Sequence, residues 1–177
     1  TVGSFFIDKK KVNPRNLEML LRISVSCNDS EVNVGDPTER ALMVLGAKGG
    51  FVKEDRYDEV PFSSENKYMV TKHKIKGKDY SFIKGAPEVV LGMCSDYYSN
   101  KRIVRLTPKV KEAMLKVNAS MAKDALRILG MAYKVNGQTI FVGLTGMIDP
   151  PREEVKGSIV QCKEAGIRVV MITGDHK

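Results

Sequence analysis

The sequence predicts an α+β domain, and three kinds of observation predict it. Strand-like runs meet across short polar turns, at residues 60–70 and again around Gly77-Lys78-Asp79. Helix starts are written as a capping side chain followed by proline, at Asn13-Pro14, Asp36-Pro37 and Thr107-Pro108. The last stretch reads as a helix ended by Gly166 and then a β-branched run at 168–172, typical of a parallel-sheet strand.

Composition narrows the function. A chain of 177 residues can bury one core, and 42% hydrophobic with 28% charged residues is a globular rather than a disordered balance. The best apolar run, Ile140 to Ile148, is broken by Gly143, Thr145 and Gly146 and falls short of the roughly 18–20 residues a membrane span needs. No leader-like start is visible, so a soluble chain is expected. Cys27, Cys94 and Cys162 are odd in number and far apart, which predicts neither a disulfide framework nor a metal site and suits a reducing, cytosolic setting. The net charge of +8 gathers visibly at Lys72, Lys74, Lys76 and Lys78, whose alternation places them on one solvated face of a strand pair. Nucleic-acid binding would want interleaved aromatics or a known module, and neither is present.

In chain order, Val2 to Ile7 reads as an entering strand. The helix after Asn13-Pro14 carries an apolar face of Leu17, Leu20, Leu21, Ser24 and Cys27. In Gly35-Asp36-Pro37-Thr38-Glu39, Asp36 caps, Pro37 takes the first helical position, and Glu39 stands where a capping box would reach back. That helix runs through Ala41, Leu42, Leu45 and Gly46 until Gly49-Gly50. Phe62, in the polar turn of the first hairpin, reads on its own as a core aromatic.

Phe82-Ile83-Lys84-Gly85-Ala86-Pro87-Glu88 then ends a strand, turns on glycine and starts a short helix through Val89, Val90 and Leu91. It holds a lysine at a strand–glycine–helix corner, either solvated or meeting an anionic or polar small molecule. Ser95 to Lys101 reads as a loop and Ile103 to Leu106 as a strand. The helix after Thr107 shows a stripe of Val110, Met114, Val117 and Met121. Leu126 to Tyr133 is a buried strand whose Arg127 must find a partner, carboxylate or phosphate. Val135 to Gln138 turns into a strand over Thr139 to Ile148. Asp149-Pro150-Pro151-Arg152 then stiffens the connection to a helix faced by Val155, Ile159, Val160 and Cys162.

Lys84-Gly85-Ala86-Pro87-Glu88 resembles the signature of the nucleotide-binding domain of P-type ATPases, cation pumps that form an aspartyl-phosphate. Five further motifs resemble the family's in its order. They are Gly35 to Glu39 with Ala41-Leu42, Pro61-Phe62-Ser63 with Lys67, Leu126-Arg127 through Leu129 to Ala132, Asp149-Pro150-Pro151-Arg152, and Thr173-Gly174-Asp175. The opening Thr1-Val2 resembles the residues just after the family's phosphorylation motif. Ser64 departs from members that carry arginine there, so the resemblance implies no phosphate contact from that position.

The resemblance implies a twisted antiparallel sheet flanked by helices at 1–149, the nucleotide-binding domain. It implies a Rossmann-like helix–strand piece of the phosphorylation domain at 150–177. The cofactor it implies is ATP, with Mg2+ in the parent enzyme. Phe62 would stack on adenine and Glu39 would take its amino group. Lys67 and Lys84 would line the pocket with Thr38 and Leu129, Gly85 would let the base lie against the backbone, and Arg127 would reach for the phosphates. Thr173, Gly174 and Asp175 would lie beside the phosphorylated aspartate and its magnesium. The implied partners are ATP or ADP and the phosphorylation, actuator and transmembrane domains of a calcium-pump-like parent. The chain would be a cytoplasmic domain of an integral membrane protein, touching neither membrane nor nucleic acid. The pump-type Asp-Lys-Thr-Gly-Thr is absent, so this stretch by itself is not expected to turn over ATP. Two rivals are a phosphatase of the haloacid dehalogenase type, suggested by Thr173-Gly174-Asp175, and a basic nucleic-acid-binding module, suggested by the charge.

Overall fold

Alternating side chains on the central strands divide the core into two layers, with a seven-stranded sheet between them. The computed structural model describes residues 5–7, 10–99, 102–148 and 152–172. The strands are β1 (Phe5–Ile7), β2 (Lys10–Val12), β3 (Arg56–Val60), β4 (Tyr68–Ile75), β5 (Lys78–Gly85), β6 (Asp96–Ser99), β7 (Arg102–Arg105), β8 (Arg127–Val135) and β9 (Gln138–Met147). The α-helices are α1 (Glu18–Ser26), α2 (Pro37–Lys48), α3 (Pro87–Met93), α4 (Pro108–Lys123) and α5 (Glu153–Glu164). β1 and β2 form their own ladder. The main sheet runs β3-β4-β5-β8-β9-β6-β7, antiparallel throughout except where β6 lies parallel to β9.

Period-two alternation sends Met69, Ile75, Phe82, Met131 and Tyr133 to one face, where Ile23 and Cys27 of α1 and Leu42 of α2 close over them. Ile83, Ala132 and Phe141 point the other way, against Val90 and Leu91 of α3 and the half-buried Met114 and Leu115 of α4. Both central hairpins use two-residue turns with positive φ at each position, Lys76-Gly77 (50° and 76°) and Asn136-Gly137 (50° and 80°). This is the primed geometry that matches strand twist. The first turn therefore falls one residue earlier than Gly77-Lys78-Asp79, and the four lysines do not share one face. Lys76 is in the turn, and Lys78 opens β5 opposite Ile75, on the side of the sheet away from Lys72 and Lys74, because the turn changes which strand positions face α1. The hairpin expected over 60–70 forms as β3 and β4, with Val60 opposite Val70. Pro37, Pro87 and Pro108 each begin a helix as expected, while the stretch after Asn13 is first a 3-10 turn at Pro14–Leu17.

Four local expectations are corrected. Asp96–Ser99 is a strand rather than loop, because Asp96 and Tyr97 register against Ile140 and Phe141; pairing overrides a polar local sequence. Val117 is exposed, and the half-buried side of α4 turns instead through Met114, Leu115 and Asn118. Arg127 is exposed at the start of β8, so its apolar neighbours do not bury it. Finally, α5 forms, but residues 168–172 join no ladder among the described residues, and Ile172 is 96% exposed. A β-branched run favours strand only where neighbours offer hydrogen bonds and cover, and the Rossmann-like strand lacks both here. Thr1-Val2, Asp149-Pro150-Pro151 and Thr173-Gly174-Asp175 lie outside the described residues.

His73 is fully buried on the α1 face and contacts Phe82, ring centroids 4.7 Å apart. Its Nδ1 lies 3.1 Å from the Asp55 carbonyl, which can only accept, so Nδ1 carries the proton and Nε2 accepts from the Thr71 hydroxyl at 2.7 Å. Burial holds the imidazole pKa below its ordinary 6.5. The unfolded chain therefore binds a proton that the folded chain refuses, and stability should fall as pH drops below about 6.5. Melting temperature followed from pH 7.5 to 5 should show that slope in the parent protein and a flatter one in His73→Gln.

Candidate functional site

The site is built at the end of β5, where Lys84-Gly85 leads into α3. Gly85 lies in register with Tyr68 on one side and Gly130 on the other. A Cβ at Gly85 would fall 2.5 Å from the Lys67 carbonyl oxygen and 2.6 Å from the Tyr68 Cβ. The glycine is thus required by the neighbouring strand, independently of any ligand. Lys67 itself sits at φ 59°, and its carbonyl accepts the Ala86 N–H at 2.9 Å, which ties the turn before β4 to the start of α3.

Lys84 is buried under this corner, and its Nζ donates to Glu39 Oε1 at 2.7 Å. The two side chains are 7% and 17% exposed, so this is an interior ion pair rather than a surface one. Glu39 does not form a capping box. Asp36 caps α2 alone, accepting from the N–H groups of Thr38 and Glu39 at 2.8 and 3.3 Å. The Glu39 carboxylate turns away from the helix end, and its Oε2 accepts from the Asp29 N–H at 3.1 Å and the Ser30 hydroxyl at 3.0 Å. Asn28 fixes that turn: its Nδ2 donates to the Ser24 and Glu39 carbonyls at 3.0 and 2.8 Å, and its Oδ1 accepts the Ser30 N–H at 2.9 Å.

Above the ion pair opens a cleft of about 500 Å³. Its wall from α2 is Thr38 and Glu39, its floor from β4 and β5 is Met69, Lys84 and Gly85, and β8 contributes Arg127 and Leu129. Phe62 stands over it, 60% exposed, so the core-aromatic reading fails. The partner of Arg127 is a hydroxyl rather than a carboxylate: Nη1 donates to Thr38 Oγ1 at 2.7 Å across the mouth. Seven of the eight expected residues therefore meet in one place, while Lys67 approaches only through its backbone.

Sequence reasoning missed Asn28, Asp29, Ser30 and Met69, and gave Asp36 only its cap. One signal was available, the polar run Asn28-Asp29-Ser30 directly after a buried apolar helix, of which Asn28 and Ser30 are buried and Asp29 is exposed. Such groups stay inside only when something needs their hydrogen bonds. Cys27 lies on the buried side, its Sγ 3.5 Å from the Phe82 carbonyl, and burial pushes its pKa up to about 11. The thiol is protonated at neutral pH and offers no nucleophile to the cleft. Among the described residues no group of three or more His, Cys, Asp or Glu side chains is placed to hold a metal, and no helix is long and apolar enough to cross a membrane.

A family model described as P-type ATPase, cytoplasmic domain N, matches residues 16–154. The chain is 41% identical to calcium-transporting ATPase 1 of Bacillus cereus, an alignment that takes in 100% of the chain and 23% of that protein. It is 38% identical to calcium-transporting ATPase 1 of Lactococcus lactis, over 90% of the chain and 21% of the relative. Calcium-transporting ATPase type 2C member 1 of Homo sapiens is 37% identical over 85% of the chain and 18% of its own length. The chain spans less than a quarter of the length of these relatives.

Proposed function

This chain belongs to the family of P-type ATPase cytoplasmic N domains, and from that premise we propose that its cleft binds ATP by the adenine and presents the γ-phosphate to an aspartate in another domain of a cation pump. Phosphoryl transfer depends on positioning and charge stabilisation, which a base-gripping domain on a hinge supplies. The observation that carries the reading is the solvent-exposed Phe62 ring standing over a cleft whose floor is the Lys84–Glu39 pair. A large aromatic left in water beside an apolar hollow is a stacking platform in need of a flat partner.

Glu39 has one place left for that partner. A carboxylate offers about four lone-pair sites, and Lys84, Asp29 and Ser30 donate to three. The remaining one takes the exocyclic amino group of adenine. The lining carries Asp29, Asp36 and Glu39 against Lys84 and Arg127, so it is a poor home for a triphosphate. The base lies inside and the phosphates leave past Arg127 and the rim near Lys67, taking their Mg2+ with them.

Residues 1–149 then form the nucleotide-binding domain, and 150–177 begin the phosphorylation domain, with Thr173, Gly174 and Asp175 beside the phosphorylated aspartate. In that domain the loose run at 168–172 gains the strand neighbours it lacks here. The parent is a membrane pump whose cargo, on the names of the relatives, is calcium. Its other domains are the partners of this one.

Adenosine, AMP, ADP and ATP should bind with similar, weak affinity, in the range of about 0.1–10 mM. Phe62→Ala should weaken each by about 10–100-fold, the cost of losing one stacked base. Chemical-shift mapping with adenosine is the test. Perturbations around Phe62, Lys84 and Arg127 support the reading, and their absence, or an unchanged affinity in Phe62→Ala, overturns it.

A further inference from the structure

The β4–β5 hairpin has a second hollow at its other end. A cleft of about 350 Å³ opens beside the Lys76-Gly77 turn, where residues from separate stretches of chain converge. Arg15 arrives from the 3-10 turn before α1, Lys76 and Lys78 from the hairpin, Tyr80 from β5 and Tyr98 from β6. Met19 and Ile75 supply apolar surface. Met69 lines the first cleft and Ile75 this one, six steps further along β4 and so about 20 Å away.

Charge is what sets this hollow apart. Among the described residues its one carboxylate is Glu18, 3.7 Å from Arg22, which also lies 2.9 Å from Glu54. Among the described residues no carboxylate stands within ion-pair distance of Arg15, Lys76 or Lys78. The contrast with Lys72 is direct, since Lys72 is paired to Asp58 at 2.7 Å. A solvated strand face explains lysines that alternate along one hairpin. It does not explain an arginine from another element meeting them at a concavity with two tyrosines. Like charges drawn into one hollow repel, and a bound dianion reverses the sign of that energy.

We propose that this cleft is a second binding site, taking a phosphate monoester carried on a small apolar or aromatic body. The phosphate carries close to two negative charges at neutral pH and three acceptor oxygens, which suits three cations and two tyrosine hydroxyls. The volume lies at the small end of ligand pockets, roughly 300–1,000 Å³, and admits a single ring against Met19 and Ile75. The body comes either from a free organophosphate or from a phosphorylated tyrosine side chain. The site stands independently of the adenine reading.

The probes are phenyl phosphate, a short phosphotyrosine peptide and its unphosphorylated form, followed by chemical-shift mapping. Phenyl phosphate should give saturable shifts at Lys76, Lys78 and Tyr98. The double variant Arg15→Gln/Lys78→Gln, both positions exposed, should weaken it by at least about tenfold while circular dichroism stays unchanged. Phe62→Ala should leave it alone. Tighter binding of the phosphopeptide assigns the side-chain source, and equal or weaker binding assigns the free organophosphate. Shifts spread over Lys72 and Lys74 without saturation, shifts at Phe62 and Lys84 instead, or equal affinity in the double variant would overturn the proposal. Adenosine carries no phosphate and should leave this end silent, so either cleft can fail without the other.

Discussion

Lys84→Met is expected to destabilise the domain by about 3–5 kcal/mol, the usual cost of removing one partner from a buried ion pair, and to lower the melting temperature by roughly 10 °C. Little of that is lost attraction. Most is Glu39, 17% exposed, left as an uncompensated interior charge. Glu39→Gln should cost nearly as much. Its amide has one accepting oxygen and one donating nitrogen, so it can satisfy Lys84 or the Asp29 N–H with Ser30, but not both sides. Denaturant unfolding measures the loss. In a double-mutant cycle, Lys84→Met with Glu39→Gln should cost far less than the two single changes added together. Additive costs would show that the pair does not act as a unit. On the proposed adenine reading, adenosine affinity should fall in all three variants, because the Glu39 carboxylate is left unheld in Lys84→Met and is absent from the other two.

The second large effect is at Gly85. Gly85→Ala should destabilise by about 3 kcal/mol, at the upper end of overpacking changes, because the new methyl meets main-chain atoms that have nowhere to go. The Lys67 carbonyl oxygen at 2.5 Å and the Tyr68 Cα at 2.7 Å are both main-chain atoms, of the turn before β4 and of the first residue of β4. Two comparison variants separate this from a general intolerance of alanine. At Gly130 the added carbon would meet its nearest neighbour at 3.2 Å, and at Gly77 it would meet nothing within 4 Å but would sit at φ 76°. Gly130→Ala should cost less than Gly85→Ala, and Gly77→Ala only the strain of a left-handed position, about 1–2 kcal/mol. Unfolding midpoints for the three give the order, and a Gly85→Ala no worse than Gly77→Ala would show that β4 can move aside.

Local chemistry determined the punctuation of this fold. Asp36-Pro37, Thr107-Pro108 and the Gly85-to-Pro87 corner begin helices because a cap, a fixed proline φ and a glycine act within a few residues of themselves. Alternation within β4 put Lys72 and Lys74 on the face opposite the buried Met69, His73 and Ile75 for the same reason, but the turn, not the alternation, decided that Lys78 lies with Ile75 on the other face. The grouping of the candidate residues was legible too, because the family resemblance attaches to short motifs, and seven of the eight residues it names line one cleft.

Tertiary structure decided everything that depends on a distant partner. Glu39 was open between a cap and a base, and what settles its orientation is Lys84, 45 residues away. Arg127 was expected to seek an anion inside an apolar run, but it lies at the strand's exposed end and meets Thr38, 89 residues away. Phe62 stays in water because the cores on both faces of the sheet are filled without it. Asp96–Ser99 became a strand because β9 offered a free edge, while the better strand former at 168–172 meets no strand edge among the described residues. A residue's propensity is local, but the hydrogen-bond and charge partners that confirm or override it are brought by the fold.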